Sequence, residues 1–253
     1  MKYSIVIPTY NHCRDLLIPC VESVLKYSHV YDIELIISAN GCVDETKEYL
    51  KFLKDHYEYL GLYDNLKIAW HDEALGYARS TNVGIKLATT DKILLLNNDV
   101  VILWQANKNE WLETLDKPFQ TKPNCGVSCT LTQYSEVTKS EFGLFFCAMI
   151  HRKVIDKIGL ISEDYLTGGH EDTDYCIRAE QAGFTIEQET PLYWSQEANM
   201  HIGSFPLYHK GEGTVHDPSL VPGWERIFYK NKLLLAKKYN QEWYEQNKHL
   251  ADL

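Results

Sequence analysis

Residues 93–100 read Ile-Leu-Leu-Leu-Asn-Asn-Asp-Val: four apolar residues run unbroken into a polar cluster that ends in a carboxylate. A continuous apolar run of this length predicts a strand buried on both faces, as in a parallel sheet. Side chains alternate along a strand, which would put Asn97 and Asp99 on one side and Asn98 on the other. In open α/β sheets ligands gather at the carboxyl ends of strands, where this cluster falls. The stretch is therefore a candidate metal and phosphate site. Asn-Asn-Asp after a strand is equally an ordinary turn, so the rest of the chain has to decide.

On either side of that run, strand-like and helix-like segments alternate. Tyr3–Ile7 reads as a strand ending at Pro8, and Leu16 to Leu25 paints one helical face, with Pro19 expected in the first turn. Ile33–Ile37 is a second strand leading into Asn40-Gly41, and Asp44 is placed to cap the helix that follows. Leu66–Trp70 reads as a third strand, Gly76–Ala88 as a helix and Lys92–Leu96 as the fourth strand. Four alternations in about a hundred residues predict an α/β fold with a doubly wound, mostly parallel sheet. Further on come a helix over Asn109–Phe119, strands near Gly126–Leu131 and Gly143–Ile150, and short and long helices at Lys153–Ile158 and Glu171–Ala182. The tail from Trp224 to Tyr244 is helical in pattern and rich in aromatics. Its stripe either packs on the domain or joins two copies as a homodimer; packing is favoured.

The net charge of −10 argues against nucleic acid as the main partner. No apolar segment approaches the roughly 18 residues of a membrane span, and the start of the chain does not read as a signal peptide. A cytoplasmic location is expected. Attachment to a membrane surface stays open, although no basic amphipathic stretch argues for it. Seven cysteines with no Cys-x-x-Cys pair suit reduced, packed thiols.

Three strand ends bring polar clusters to one sheet edge: Thr9-Tyr10-Asn11 with Arg14, Asn40 with Asp44, and Asn97 with Asp99. Asn40, Tyr10 and Thr9 could hold a base and ribose, while Asp99 suits a hard divalent ion such as Mg²⁺ or Mn²⁺. Turn chemistry is the competing explanation for Asn11 and Asn40. A second cluster, Gly168-Gly169-His170-Glu171-Asp172-Thr173-Asp174, packs three carboxylates at a helix start, where the dipole favours them. Glu171 and Asp174 share a helical face, so Asp172, held clear of both, is the candidate general base. A third is Leu207-Tyr208-His209-Lys210-Gly211-Glu212-Gly213-Thr214, in which His209 is either a metal ligand or a loop residue, with His201 and His216 as competitors.

Taken in order, these segments resemble glycosyltransferase family 2, the inverting nucleotide-sugar enzymes of the A-type, Rossmann-like glycosyltransferase fold. The matching residues are Ser4–Asn11, Asn40–Thr46, Leu75–Ile85, Leu96–Asp99, Glu171–Arg178 with Ala182–Phe184, and His209–Thr214. The resemblance implies a domain over 1–216, with a nucleotide-binding half (1–100) and an acceptor-side half (101–216), followed by a helical extension (217–253). It implies that Thr9, Tyr10, Asn11, Arg14 and Asn40 hold the nucleoside. Gly76, Arg79, Asn82 and Asn98 would border the diphosphate and sugar. Asp99 would be the retained ligand of the family's Asp-x-Asp metal motif, His209 a second ligand and Asp172 the base. The donor would be a UDP-, GDP- or dTDP-sugar, the cofactor Mn²⁺ or Mg²⁺, and the acceptor a hydroxyl of a glycan or similar molecule.

This chain departs from the family pattern at Ala39, Cys42 and Asn97, where the family usually carries Asp, Ser and Asp. Those changes leave the base preference open. The alternative from another class is a non-catalytic relative that binds a nucleotide-sugar or glycan without turnover. Ala39 and Asn97 favour it, and the presence of Asp172 argues against it.

Overall fold

The computed structural model describes residues 1–188, 192–195, 200–211 and 217–249. Its first half repeats strand and helix: β1 (Tyr3–Thr9), α1 (Ile18–Tyr27), β2 (Ile33–Asn40), α2 (Thr46–Tyr59), β3 (Leu66–His71), α3 (Tyr77–Leu87) and β4 (Lys92–Leu96). Then follow β5 (Val100–Ile102), α4 (Glu110–Thr121), β6 (Cys125–Cys129), the hairpin β7 (Thr132–Ser135) and β8 (Ser140–Gly143), β9 (Cys147–His151) and α5 (Arg152–Ile158). The chain continues with α6 (Glu171–Gln181), β10 (Thr185–Glu187), the pair β11 (Leu192–Ser195) and β12 (Met200–Gly203), and β13 (Leu207–His209). Helices α7 (Trp224–Tyr239) and α8 (Gln241–Asn247) complete the described residues.

Seven strands form one sheet in the order β10-β6-β9-β4-β1-β2-β3. All run parallel except β9, which is antiparallel to both β4 and β6. The predicted double winding is present. Ile5, Ile7, Leu94 and Leu96 pack with α1, α2 and α4, whereas Val6, Ile93 and Leu95 pack with α3, α5 and α6. Period-two alternation feeds two cores at once, which is why the run at 93–96 needs no polar face. Gly84 lets α3 lie against β1, since a Cβ there would overlap the side chain of Val6.

Local details refine the sequence reading. Pro19 does sit in the first turn of α1, preceded by a π-helical turn over Cys13–Leu17. Asp44 caps α2 from one residue further out than expected. Its Oδ1 accepts from the backbone and hydroxyl of Thr46, and its Oδ2 accepts from the N–H of Cys13. The single strand expected at 143–150 is broken, because β8 ends at Gly143 and β9 begins at Cys147. All seven cysteines are free, and all but Cys42 are buried. Among the described residues no helix is long and apolar enough to cross a membrane. In the tail, Tyr239, Trp243 and Tyr244 pack around Val137, Tyr165, Leu235 and Ala236.

Candidate active site

Strand order reverses between β1 and β4, the kind of switch point at which α/β sheets open a ligand crevice. β4 stops at Leu96, so Asn97–Asp99 is a turn and strand alternation does not extend through it as expected. The turn is fixed by Asn97 N–H to Phe146 O (2.8 Å) and Val100 N–H to Asn97 O (3.2 Å). Asn98 donates to Thr9 Oγ1 at 3.0 Å, tying the turn to the end of β1. β13 then pairs antiparallel with β5, setting His209 opposite Val100. The pairing leaves His209 Nε2 3.3 Å from Asp99 Oδ1, with both side chains buried. The N–H of Lys210 donates to Asp99 O, and the imidazole stacks on Phe146 with centroids 4.1 Å apart.

A carboxylate oxygen and an imidazole nitrogen at this spacing suit Mn²⁺ or Mg²⁺. Among the described residues no group of three or more His, Cys, Asp or Glu is poised to hold a metal. Two protein ligands fit an ion that keeps its other positions for phosphate oxygens and water. Of the competing histidines, the side chain of His201 and all of His216 lie outside the described residues, as do Glu212, Gly213 and Thr214.

The predicted donor-binding residues divide into two groups. Thr9 and Asn11 are buried at the end of β1; Asn11 is left-handed (φ 55°) and its Oδ1 accepts from Val43 N–H. Its amide nitrogen is buried with no hydrogen-bond partner among the described residues. Tyr10 is half-buried, while Arg14 projects outward and pairs with Glu45. Asn40 is different. Its Nδ2 donates to Thr9 O (2.9 Å) and Ser80 Oγ (3.0 Å), and its Oδ1 accepts from Leu75 N–H (2.8 Å). Asn82 likewise spends its amide on Ile161 and Glu163, and Glu163 also faces Arg79 at 3.5 Å. Against the expectation of direct donor contact, the amides of Asn40 and Asn82 are committed to joining β1, β2, α3 and the 161–163 segment. Gly76 (φ +77°) lets the start of α3 meet the backbone of Thr167, which accepts from Tyr77 N–H at 2.9 Å.

The carboxylate cluster also sorts differently from the sequence reading. Asp174 is structural: Arg178 Nε donates to Oδ2 (2.8 Å), and Tyr239 (2.9 Å) and Tyr165 (3.2 Å) donate to Oδ1. Asp172 is not clear of its neighbour, because its charge bears directly on Glu171. Asp172 accepts from Thr173 N–H at 2.7 Å and from the Thr173 hydroxyl, and the nearby backbone N–H of Phe145 favours its charged form. Burial nevertheless pushes its carboxyl above the usual range. Burial, and then the charge of Asp172, pushes Glu171 up as well, and Glu171 Oε2 has no partner among the described residues. The loop leading in is left-handed at four successive residues, Thr167 (φ 64°), Gly168 (148°), Gly169 (91°) and His170 (75°). For Thr and His such backbone costs on the order of 1–3 kcal/mol each and persists only where surroundings impose it.

Residues the sequence reading passed over join the two clusters. Phe146 stacks on His209 and accepts from Asn97, while the backbone N–H of its neighbour Phe145 acts on the Asp172 carboxyl and favours its charged form. Phe145 O accepts from Tyr77 OH at 3.1 Å, and the Phe145 ring meets Tyr175 of α6 edge-on. Two consecutive residues thus lie between the Asp99–His209 pair and Asp172 at one edge. Their only sequence signal was apolarity, which reads as strand.

A family model, "Glycosyl transferase family 2", matches residues 4–145. The chain belongs to glycosyl transferase family 2. Glycosyltransferase AglE of Haloferax volcanii is 24% identical over 204 residues, covering 72% of this chain. The chain spans 62% of the length of AglE. Among solved structures, the mannosyltransferase PcManGT of Pyrobaculum calidifontis, in complex with GDP-Man and Mn²⁺, superposes with a TM-score of 0.59 at 14% identity. That match covers 74% of this chain and 54% of PcManGT. GalNAc-T7 with UDP, GalNAc and Mn²⁺ gives 0.57 at 13% identity, over 73% of this chain and 41% of the other. These likenesses show that the family 2 chain has the A-type glycosyltransferase fold.

Proposed function

We propose that this protein is an inverting glycosyltransferase that moves a sugar from a nucleoside-diphosphate donor to an acceptor hydroxyl. The observation that carries the reading is the Phe145–Phe146 link, which brings a buried carboxylate–imidazole pair and a separate raised-pKa carboxylate to the same sheet edge. Thr9, Asn11 and Asn98 border the nucleoside-diphosphate, supported from behind by Asn40 and Asn82. Asp99 and His209 would hold Mn²⁺ or Mg²⁺, which when bound supplies charge neutralisation for the departing diphosphate. The complexes of PcManGT and GalNAc-T7 with Mn²⁺ support that assignment.

In the proposed reaction Asp172 accepts the proton of the acceptor hydroxyl. The freed oxygen forms a bond to the anomeric carbon from the face opposite the nucleotide. The anomeric C–O bond to phosphate breaks, and its electron pair leaves with the nucleoside diphosphate. A raised carboxyl pKa suits this work, since a base near the operating pH both binds and releases its proton. The 1–100 segment serves as the donor half, 101–216 as the acceptor side and 217–253 as an extension.

Incubation with a panel of UDP-, GDP- and dTDP-sugars in Mn²⁺, with and without glycan acceptors, tests the reading. Release of free nucleoside diphosphate is expected from at least one donor. Nucleotide binding without release from any of them would instead make the protein a binding relative.

A further inference from the structure

Helix α7 lies beyond the 4–145 segment that defines the family match, yet it grips the loop that leads into Asp172. Asn231 is buried, and its Nδ2 donates to both Leu166 O (2.9 Å) and Gly168 O (2.7 Å). These are the carbonyls on either side of left-handed Thr167, where the chain makes a three-residue turn closed by Gly168 N–H to Leu166 O. One turn earlier on α7, Phe228 lies over the next two residues, tilted on the His170 ring with centroids 4.5 Å apart. A Cβ on Gly169 would come within 2.7 Å of Phe228. At its other end α7 reaches the first turn of α6, where Tyr239 OH and Lys238 Nζ approach Asp174 Oδ1 at 2.9 and 3.4 Å. From the opposite side the loop meets only Gly76 and Tyr77 of α3 among these contacts.

A backbone with four left-handed residues in a row does not hold its shape by local preference. Its carbonyls must be taken by groups that exist only in the folded chain, and one side-chain amide takes two of them. We infer that Asn231 is a positioning residue for sugar transfer: by clamping Leu166 O and Gly168 O it fixes the 167–170 turn and so aims Asp172 at the acceptor hydroxyl. The inference rests on the proposed reading of Asp172 as the base. Asn231 touches no reacting atom; it acts through the loop. The nucleotide edge, built from β1, β2 and β4, is not in its reach.

The test compares wild type, Asn231→Ala and Asn231→Ser, using the nucleotide-sugar that the wild type turns over fastest. Binding of UDP and GDP with Mn²⁺ is titrated in parallel. Displacing a catalytic group by about 1 Å costs roughly a hundredfold in rate, so Asn231→Ala is expected to lower kcat by about that factor. Asn231→Ser, which keeps one donor, is expected to lose about tenfold. Donor KM and nucleotide affinity stay within about twofold in both. Wild-type kcat in Asn231→Ala overturns the inference, and so does a kcat loss matched by an equal loss of nucleotide affinity, which marks general damage. Should Asn231→Ala fail to fold, the ratio of wild type to Asn231→Ser decides by the same criteria. Asp172→Asn separates the two layers: if it turns over normally the base reading falls and takes Asn231 with it. If Asp172→Asn is inactive while the Asn231 variants are not, only the positioning role is wrong.

Discussion

Glu34 and Glu171 are both buried carboxylates, and they lie towards opposite edges of one sheet. Glu34, near the start of β2, is fully enclosed and fully partnered. It accepts from Ser4 Oγ, Lys67 Nζ (2.7 Å), Thr89 N–H and Thr89 Oγ1. Burial pushes its pKa up, but the Lys67 and Ser4 bonds and those from Thr89 together outweigh burial and hold it below the usual value. Glu171 has an oxygen with no partner among the described residues and a second carboxylate beside it, and its pKa is raised. A satisfied buried carboxylate is a fastening, whereas a raised carboxylate pair with one unpartnered oxygen is, on the proposed function, a place kept ready for chemistry. The closed edge serves the fold; on the proposed function the open edge serves the reaction.

The largest expected break in that comparison comes at the open edge. Asp172→Asn should lower transfer by about 10²–10⁴, the usual contribution of a general base, with nucleotide binding nearly intact by titration. Near-wild-type turnover would falsify the base assignment. Next, Asp99→Ala should weaken UDP or GDP binding in Mn²⁺ by about tenfold or more, and chelating the metal from the wild type should do the same. If nucleotide affinity is equal with and without Mn²⁺, the Asp99–His209 pair is not a metal site.

At the closed edge, Glu34→Gln should cost about 2 kcal/mol of stability in a denaturant titration, since it removes charged hydrogen bonds, and leave kcat unchanged. Glu171→Gln should do the opposite, raising Tm by a few degrees at neutral pH, because the raised Glu171 carboxyl has to take up a proton on folding and an amide does not.

The smallest effect is on pH dependence, where the two edges carry opposite signs. The Glu34 contribution to stability is full above the ordinary carboxylate range and lost as pH falls through its lowered value. For Glu171 and Asp172 the contribution is full below that range and lost as pH rises through their raised values. Stability curves of Glu34→Gln and Glu171→Gln against pH should therefore diverge from wild type in opposite directions. If Asp172 is the base, as proposed, transfer needs it ionised, so the acid limb of kcat/KM should lie above the ordinary carboxylate range. Parallel stability curves would erase the distinction between the edges.

Much of the sheet was legible because its signals are local. Ile93–Leu96 and Ile33–Ile37 announce buried strands, and the helical spacing from Leu16 to Leu25 needs no partner to be read. The site was legible only as residue types. Asn40 read as a ligand because an amide at a strand end is chemically competent, and Asn82 through the family resemblance; whether their hydrogen bonds are already taken depends on groups 31 to 81 residues away. Phe145 and Phe146 gave no polar signal at all. Their part in the site comes from backbone atoms, which every residue has, and from the Phe146 ring stacked on His209.

The sequence by itself determined the alternation of strand and helix, the two-faced burial of β4 and the ordered motifs that mark the family, since these follow from local period and spacing. Only the tertiary structure decided that His209 stands beside Asp99, because strand pairing across more than a hundred residues brings them together. It also decided which of three adjacent carboxylates is anchored to Arg178 and which two share a buried site. The left-handed turn before Asp172 likewise depends on an amide some sixty residues downstream. A local pattern fixes what a residue can do; the partners that leave it free or bind it are long-range, and the chain order does not contain them.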